Sequence, residues 1–161
     1  MSTVFCRRAQ ADEAVIIADH NRAMAVETEG RELSLATALA GVENFFHYPQ
    51  FGFYLMAEVE GQIAGSLMIT YEWSDWRNGL FWWIQSVYVR PQFRRQGVYR
   101  AMYADLQQAS ADSDIPVCGI RLYVERENRA AQATYGSLGM TECHYLMYEA
   151  VRCNSIHPGS G

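Results

Sequence analysis

The run from Ile84 to Ala109 constrains the fold most. A strand-like segment, IQSVYV, passes through Pro91 and the turn Arg94-Arg95-Gln96-Gly97 directly into a helical pattern. After Gly97 the apolar residues Val98, Met102, Leu106 and Ala109 recur at helical spacing, while Asp105, Gln107 and Gln108 supply a polar face. Gly97 therefore opens an amphipathic helix. The first turn of a helix leaves backbone N–H groups without internal partners, and the helix dipole adds partial positive charge there. Anions bind at such a place. Gly97 lets a bulky ligand approach the main chain closely, and Arg94, Arg95 and Arg100 add charge suited to a pyrophosphate. The competing reading is a solvated basic turn before a surface helix.

Two familiar phosphate loops are excluded, because neither GxxxxGKS/T nor GxGxxG occurs in the chain. The sequence contains no lysine, and every basic residue other than histidine is arginine. A P-loop lysine, Schiff-base chemistry and a lysine nucleophile are all removed by that composition.

The order of elements is readable along the chain. Val4 to Arg8 begins as a strand, Asp12 to about Glu27 reads as a helix, and Ser34 caps a second helix. That second helix carries Leu35, Ala38, Leu39, Val42, Phe45 and Phe46 on one face. Phe51, Phe53, Leu55, Ala57 and Val59 alternate, Glu60-Gly61 turns, and Ile63, Gly65, Leu67, Ile69 and Tyr71 alternate again, which predicts a hairpin with one buried face. Leu80 to Val89 is a long apolar strand, followed by the Gly97 helix and a strand from Ile120 to Val124. A helix from Asn128 to Leu138 then stops at Gly139, and a last strand is expected from Thr141 to about Val151. Crossover helices join parallel strands and hairpins join antiparallel ones, so the sheet is mixed and helices cover both faces.

At 161 residues, half of them hydrophobic, the chain suits one domain with a substantial core. We expect that domain to span 1–153, with Asn154 to Gly161 as a loose polar tail. The formal charge of -5 argues against nucleic acid as a partner and suits cationic or small amine ligands better. The apolar run Ala14 to Ala18 is too short for a signal core or a membrane span, and a cytoplasmic location follows as the default. Cys6, Cys118, Cys143 and Cys153 form no CxxC pair and are expected to be reduced and structural, three of them in strand-like segments. With His20, His47, His144 and His157 in no ligand spacing, no metal site is expected. Aromatic surface is compatible with a homodimer, although no residue pattern specifies one.

Val87-Tyr88-Val89, Pro91 and Arg94-Arg95-Gln96-Gly97-Val98-Tyr99 together resemble the acyl-coenzyme A signature of the GNAT acetyltransferases. In that signature Gln or Arg is followed after two residues by Gly, and after one more by Gly or Ala. Arg94 and Gly97 match it, and Tyr99 departs from it. Downstream, Leu122-Tyr123-Val124, Glu127-Asn128, Ala130-Ala131, Tyr135 and Leu138-Gly139-Met140 resemble the second half-site of the same family. The resemblance implies an α/β (α+β) fold: a mixed central sheet of six to seven strands, helices on both faces, and strands that splay apart on either side of the Gly97 helix. The pantetheine arm of acetyl-coenzyme A would enter that gap.

The resemblance also implies roles. Main-chain N–H groups of Arg95 to Tyr99 would hold the pyrophosphate, with Arg94, Arg95 and Arg100 adding charge, and Val87 and Val89 would pair with the pantetheine amides. Tyr88, Gln96, Val98, Asn128, Ala131 and Tyr135 complete the expected cofactor contacts. Tyr135 would protonate the leaving thiolate and the N–H of Val87 would stabilise the oxyanion. Tyr135 reads equally as helix packing, and Asn128 as a plain cap. An alkylammonium acceptor must lose a proton before attack, which makes Glu27, Glu29 and Glu72 candidate carboxylates, each of them also readable as a solvated surface group. Trp73, Asp75 and Trp76 bracket an acid with two rings, either to bind a cation or to seal the loop. The implied activity is acetyl transfer from acetyl-coenzyme A to a small amine in a ternary complex. A non-catalytic acyl-coenzyme A sensor, and an enzyme for another acyl chain or a hydroxyl acceptor, are the rivals.

Overall fold

A computed structural model describes residues 3–152, which leaves the tail expected at 154–161 outside the described residues. The chain divides into two compact units between Tyr123 and Val124. The first runs β1 (Val4–Arg8), a 3-10 turn (Ala11–Glu13), α1 (Ala14–Glu29), α2 (Leu35–Phe46), β2 (Gly52–Val59), β3 (Gln62–Ser74), β4 (Gly79–Val89), α3 (Val98–Ala111) and β5 (Val117–Arg121). Its sheet has the order β1-β2-β3-β4-β5. The first four strands are antiparallel neighbours, whereas β5 runs parallel to β4.

Local chemistry sets the boundaries. Gly30, at φ 60, closes α1 in the left-handed conformation, and its N–H donates to Val26 O at 3.1 Å. Ser34 opens α2, its hydroxyl accepting the Thr37 N–H at 3.4 Å. Glu60 and Gly61 both take positive φ, 51 and 74, as the tight turn of a two-residue hairpin requires.

Strand alternation then sorts the core into two layers. Tyr54 and Met56 face α1 and α2, where they cluster with Ala14, Ile17, Ala18 and Val42. Leu55, Leu67 and Ile69 point the other way and are fully buried, as are Met102 and Leu106 of α3, the helix that packs on β1, β2 and β3. Helices thus cover both faces, as expected. Each of these large side chains contributes about 1.5–3 kcal/mol by leaving water.

The second unit carries α4 (Arg129–Ser137), capped by Asn128, whose Oδ1 accepts the Ala131 N–H at 3.1 Å. Gly139, at φ 85, ends it. The strand expected from Thr141 to Val151 is not formed, so the sheet has five strands among the described residues rather than six to seven. Tyr145, Leu146, Met147, Tyr148 and Val151 are instead exposed. An alternating sequence supplies one buried face, but a strand is stabilised only when a neighbouring backbone completes its ladder.

Candidate active site

β4 changes its environment halfway along. Its pairing with β5 runs from Leu80↔Val117 to Trp83↔Arg121 and ends there, so Ile84 to Val89 have no partner on that side among the described residues. On the other side the β3 register steps from Met68↔Gln85 to Ser66↔Tyr88, which leaves Ser86 and Val87 opposite Leu67 alone. This is a β-bulge, and Ser86 sits in it at φ 51, a conformation costly for a non-glycine residue. An open strand edge with a bulge can accept hydrogen bonds from, and donate them to, an added extended chain.

Immediately beyond, the backbone takes the turn geometry of a candidate anion cradle. Pro91–Phe93 forms a 3-10 turn, Arg94 is extended, and Arg95 and Gly97 are left-handed at φ 60 and 78 before α3 begins. Such turns direct successive N–H groups into one concavity. A Cβ built on Gly97 would meet nothing within 4 Å, so the space above this main chain is open. Tyr99, which departs from the family signature, stacks along the helix on Tyr103, with ring centroids 6.5 Å apart.

The side chains around the cradle form a charged cluster with α1. Arg94 donates from Nε to Val89 O at 2.8 Å and from Nη2 to Glu27 Oε2 at 2.6 Å, while the Tyr88 hydroxyl donates to Glu27 Oε1 at 3.2 Å. The structure therefore joins a residue assigned to the pyrophosphate with one assigned as a base. Both members of this ion pair are about two-fifths exposed, so the pair itself contributes only about 0–1 kcal/mol. Burial, then the nearby Glu27 carboxylate, raise the Tyr88 pKa and keep its phenol protonated.

Behind Tyr88 lies a fully enclosed pair. His20 is 3% exposed, and its Nδ1 is 2.8 Å from the Ser66 hydroxyl, itself 1% exposed. Arg90 donates from Nε to His20 Nε2 at 3.0 Å, which places the imidazole proton on Nδ1 and makes Ser66 its acceptor. Burial and then the Arg90 charge push the His20 pKa down to about 4, so the ring is neutral at physiological pH.

Next to this cluster on the same sheet face, α1, α2 and the sheet line an open cavity of about 350 Å³. Its walls are Leu33, Ala38, Gly41, Val42, Phe45, Tyr54 and Met68, with Asn21, Thr37 and Ser86 as the polar members. The Asn21 Oδ1 atom is buried and has no hydrogen-bond partner. A second, more polar hollow of about 510 Å³ lies between α1 and the residues after it, lined in part by Asp19, Arg22, Glu27 and Glu32.

Glu72 belongs to a different group. The Trp83 indole N–H donates to its Oε2 and Arg121 donates to its Oε1 at 3.2 Å. Arg121 also lies over the Phe81 ring, 3.5 Å from the centroid. Glu72 is opposite Phe81, five residues before Ser86, or roughly 17 Å along the strand. Trp73 and Trp76 are 56% and 89% exposed, and Asp75 is exposed with them, so the hairpin tip is not sealed by a buried aromatic cluster. Glu29 is an exposed residue at the end of α1. None of Glu27, Glu29, Trp73, Asp75 and Trp76 lines the 350 Å³ cavity.

In the second unit, burial raises the pKa of Tyr135, which sits four residues after Ala131 on α4. The Asn128 side chain is engaged as the helix cap, the plainer of its two readings. The cysteines depart from expectation in burial: Cys6 is half-buried, with burial pushing its thiol up to about 11, whereas Cys118 and Cys143 are exposed. The reason is position, since β5 is a sheet edge and 143 lies in the segment that forms no strand. Cys153 lies outside the described residues. Among the described residues no three His, Cys, Asp or Glu side chains gather as a metal site, and no helix is long and apolar enough to cross a membrane.

Three features were not found by sequence reasoning: Asn21 and its cavity, the His20–Ser66–Arg90 chain, and the bulge at Ser86. Asn21 and His20 stand within the polar run Asp19 to Arg22 of α1, so the local sequence does not mark them as inward-facing. Nothing in the local sequence marks the bulge, because it arises from the register of β4 against β3.

Comparison with known proteins agrees with this architecture. A profile of the acetyltransferase (GNAT) family matches residues 17–140. Among solved structures, a "possible acetyltransferase" from Clostridium difficile 630 is 42% identical, with 96% of this chain and 99% of that chain covered and a TM-score of 0.85. A predicted acetyltransferase from Clostridium acetobutylicum, solved with acetyl-CoA, shares 16% identity over 92% and 96% of the two chains, with a TM-score of 0.73. AAC(6')-Iy in complex with the bisubstrate analog CoA-S-monomethyl-acetylneamine shares 17% identity over 94% and 100%, with a TM-score of 0.71. The two lower identities bear on the fold alone. No curated protein matches the sequence significantly. The chain belongs to the GNAT acetyltransferase family, and it is an acetyltransferase enzyme.

Proposed function

We propose that the protein transfers the acetyl group of acetyl-coenzyme A to the primary amine of a small molecule by direct attack in a ternary complex. The observation that carries this reading is the continuity of the open β4 edge from Ile84 to Val89 with the left-handed turn at Arg95 and Gly97 and the start of α3. One element offers hydrogen bonds to an extended amide-bearing arm, and the next offers N–H groups and arginines to a pyrophosphate.

Val87 and Val89 bind the arm through their backbones, and Arg95 to Tyr99 hold the phosphates. Arg94, oriented by Glu27 and Val89, and Arg100 add charge beside them. The amine nitrogen forms a bond to the thioester carbonyl carbon while the N–H of Val87 steadies the oxyanion. The carbon–sulfur bond then breaks. One proton leaves the nitrogen through water toward Glu27 or Glu72, and Tyr135 supplies one to the sulfur, so no redox partner is required. Burial raises the Tyr135 pKa, so the phenol carries its proton at neutral pH. Residues 1–153 act as one catalytic domain in the cytoplasm. A homodimer is part of the same reading, supported by the exposed run Tyr145, Leu146, Met147, Tyr148 and Val151.

The test is release of free coenzyme A from acetyl-coenzyme A across polyamines, amino acids, aminoglycosides, alkylamines and peptide N-termini, with calorimetry of cofactor binding in parallel. Turnover with one amine class is expected. Tight binding without turnover on any acceptor assigns a sensor instead, and turnover only with alcohols or longer acyl chains moves the acceptor or donor class. Sedimentation at micromolar concentration checks the dimer.

A further inference from the structure

The short turn that leads from β4 toward α3 is bracketed by two arginines, and α1 holds both. Arg90 precedes the 3-10 turn Pro91–Phe93 and Arg94 follows it. Arg90 donates from Nε to His20 Nε2 at 3.0 Å, and Arg94 donates from Nη2 to Glu27 Oε2 at 2.6 Å. Positions 20 and 27 are close to two helical turns apart, so His20 and Glu27 lie on one face of α1. Tyr88 connects the two contacts. Its ring lies 5.1 Å from the His20 ring, its hydroxyl donates to Glu27 Oε1 at 3.2 Å, and the Arg94 guanidinium is 5.5 Å from its ring centroid. The buried contact of His20 Nδ1 with the Ser66 hydroxyl, at 2.8 Å, ties the helix to β3 beside this point, so Glu27 projects from a fixed support.

The main chain just past Arg94 is costly to hold. Arg95 takes φ 60, the left-handed region that a residue with a Cβ avoids, and Gly97 follows at φ 78. Such a conformation persists only where the surrounding structure over-determines it. The Arg94 side chain does this from the residue next to the strain. Its Nε closes the turn onto Val89 O at the end of β4, at 2.8 Å, and its Nη2 anchors the turn to α1. Both Glu27 oxygens are engaged in this arrangement, one by Arg94 and one by Tyr88. We propose that Glu27 is a positioning residue, through which α1 sets the shape of the cofactor turn by way of Arg94. The inference rests on the reading of Arg95 to Tyr99 as the pyrophosphate site. A turn fixed in its binding shape loses less freedom when the ligand arrives, and affinity rises accordingly.

Two accounts of Glu27 give effects of opposite sign. As a bare charge beside a polyanion it repels, and its removal strengthens coenzyme A binding. As a positioning residue its removal frees Arg94, and binding weakens. The experiment is calorimetric titration of the full chain with coenzyme A, followed by steady-state release of coenzyme A from acetyl-coenzyme A. Glu27→Ala is expected to weaken coenzyme A binding about fivefold, the size of effect that a partly exposed charge pair supplies. Glu27→Gln keeps an oxygen for Arg94 and is expected to stay within about twofold of the native affinity. The double variant Glu27→Ala/Arg94→Ala is expected to bind no more weakly than Arg94→Ala alone. In turnover the loss from Glu27→Ala falls on the KM for acetyl-coenzyme A and not on kcat. Glu13→Ala removes the Arg7 ion pair near the other end of α1, and unchanged coenzyme A affinity there separates positioning from general destabilisation. Binding that is unchanged or strengthened in Glu27→Ala, additive losses in the double variant, or a fall in kcat with KM unchanged overturns the inference. Weaker coenzyme A binding in Glu27→Ala, with no turnover of any amine by the native protein, upholds the positioning role and overturns only the transferase reading. Absence of coenzyme A binding to the native protein overturns both.

Discussion

Two regions share the face of the sheet that α1 and α2 cover, and they differ in charge. Around the start of α3, Arg94 and Tyr88 hydrogen-bond to Glu27, and Arg90 hydrogen-bonds to His20, whose ring lies 5.1 Å from that of Tyr88. A few residues back along β4, the cavity under α2 has no ionisable group other than the Tyr54 phenol, whose pKa burial raises to about 12. The difference teaches how a protein with a net charge of -5 can still present local positive charge: arginines gather at the start of α3, and repulsion from the rest of the surface is screened over roughly 10 Å.

The largest expected effect comes from breaking the charged side of that contrast. Gly97→Glu should reduce acetyl-coenzyme A affinity by more than about 100-fold, since it fills the cradle and adds a repulsive charge. Calorimetry checks it, with Gly97→Ala as the control for the roughly 1–2 kcal/mol of left-handed strain that any side chain incurs at φ 78. Unchanged affinity in the glutamate variant would remove the cradle.

Next in size is the enclosed histidine between the two regions. His20 has an unfolded value near 6.5 and a folded value near 4. Its neutral form is favoured by the fold, so the stabilisation is present above pH 6.5 and falls as the pH drops toward 4, where the folded ring also titrates. The linkage amounts to on the order of 3 kcal/mol. Thermal unfolding followed from pH 7 to 4 should show this loss, and His20→Gln should flatten the slope in that window. An identical pH profile in both proteins would contradict the buried neutral ring.

Tyr135→Phe is expected to lower kcat about 100-fold, equivalent to about 2.7 kcal/mol, and to leave cofactor affinity unchanged. Steady-state kinetics and calorimetry on the same preparation separate the two. Equal turnover would return Tyr135 to a packing role. The smallest effect sharpens the comparison at its border: Glu27→Gln should change stability by no more than about 1 kcal/mol, because its ion pair with Arg94 is partly exposed. A large fall in kcat with altered pH dependence would make Glu27 the proton acceptor, and the same result confined to Glu72→Gln would assign that role there.

Much of the frame is legible in the amino-acid sequence. The hairpin at Glu60-Gly61, the Ser34 cap and the Gly97 helix follow from turn chemistry, capping and period, all of which act within a few residues. The strand expected at 141–151 failed because alternation describes a face and not a neighbour. The charged residues of the loop were found as a group, yet the pairing of Arg94 with Glu27 joins positions 67 apart and has no local signature.

What the sequence determined by itself was the strand–turn–helix unit, its arginine-only positive charge and the family that both imply, because these depend on residues close together in the chain. Only the tertiary structure decided where β4 parts from β5, that Ser86 is bulged, that His20 is neutral, and that the Asn21 side-chain oxygen is buried without a partner. Each depends on strand register or on the packing of α1 and α2 over the sheet. Register and packing are set by contacts between segments that the chain order keeps far apart.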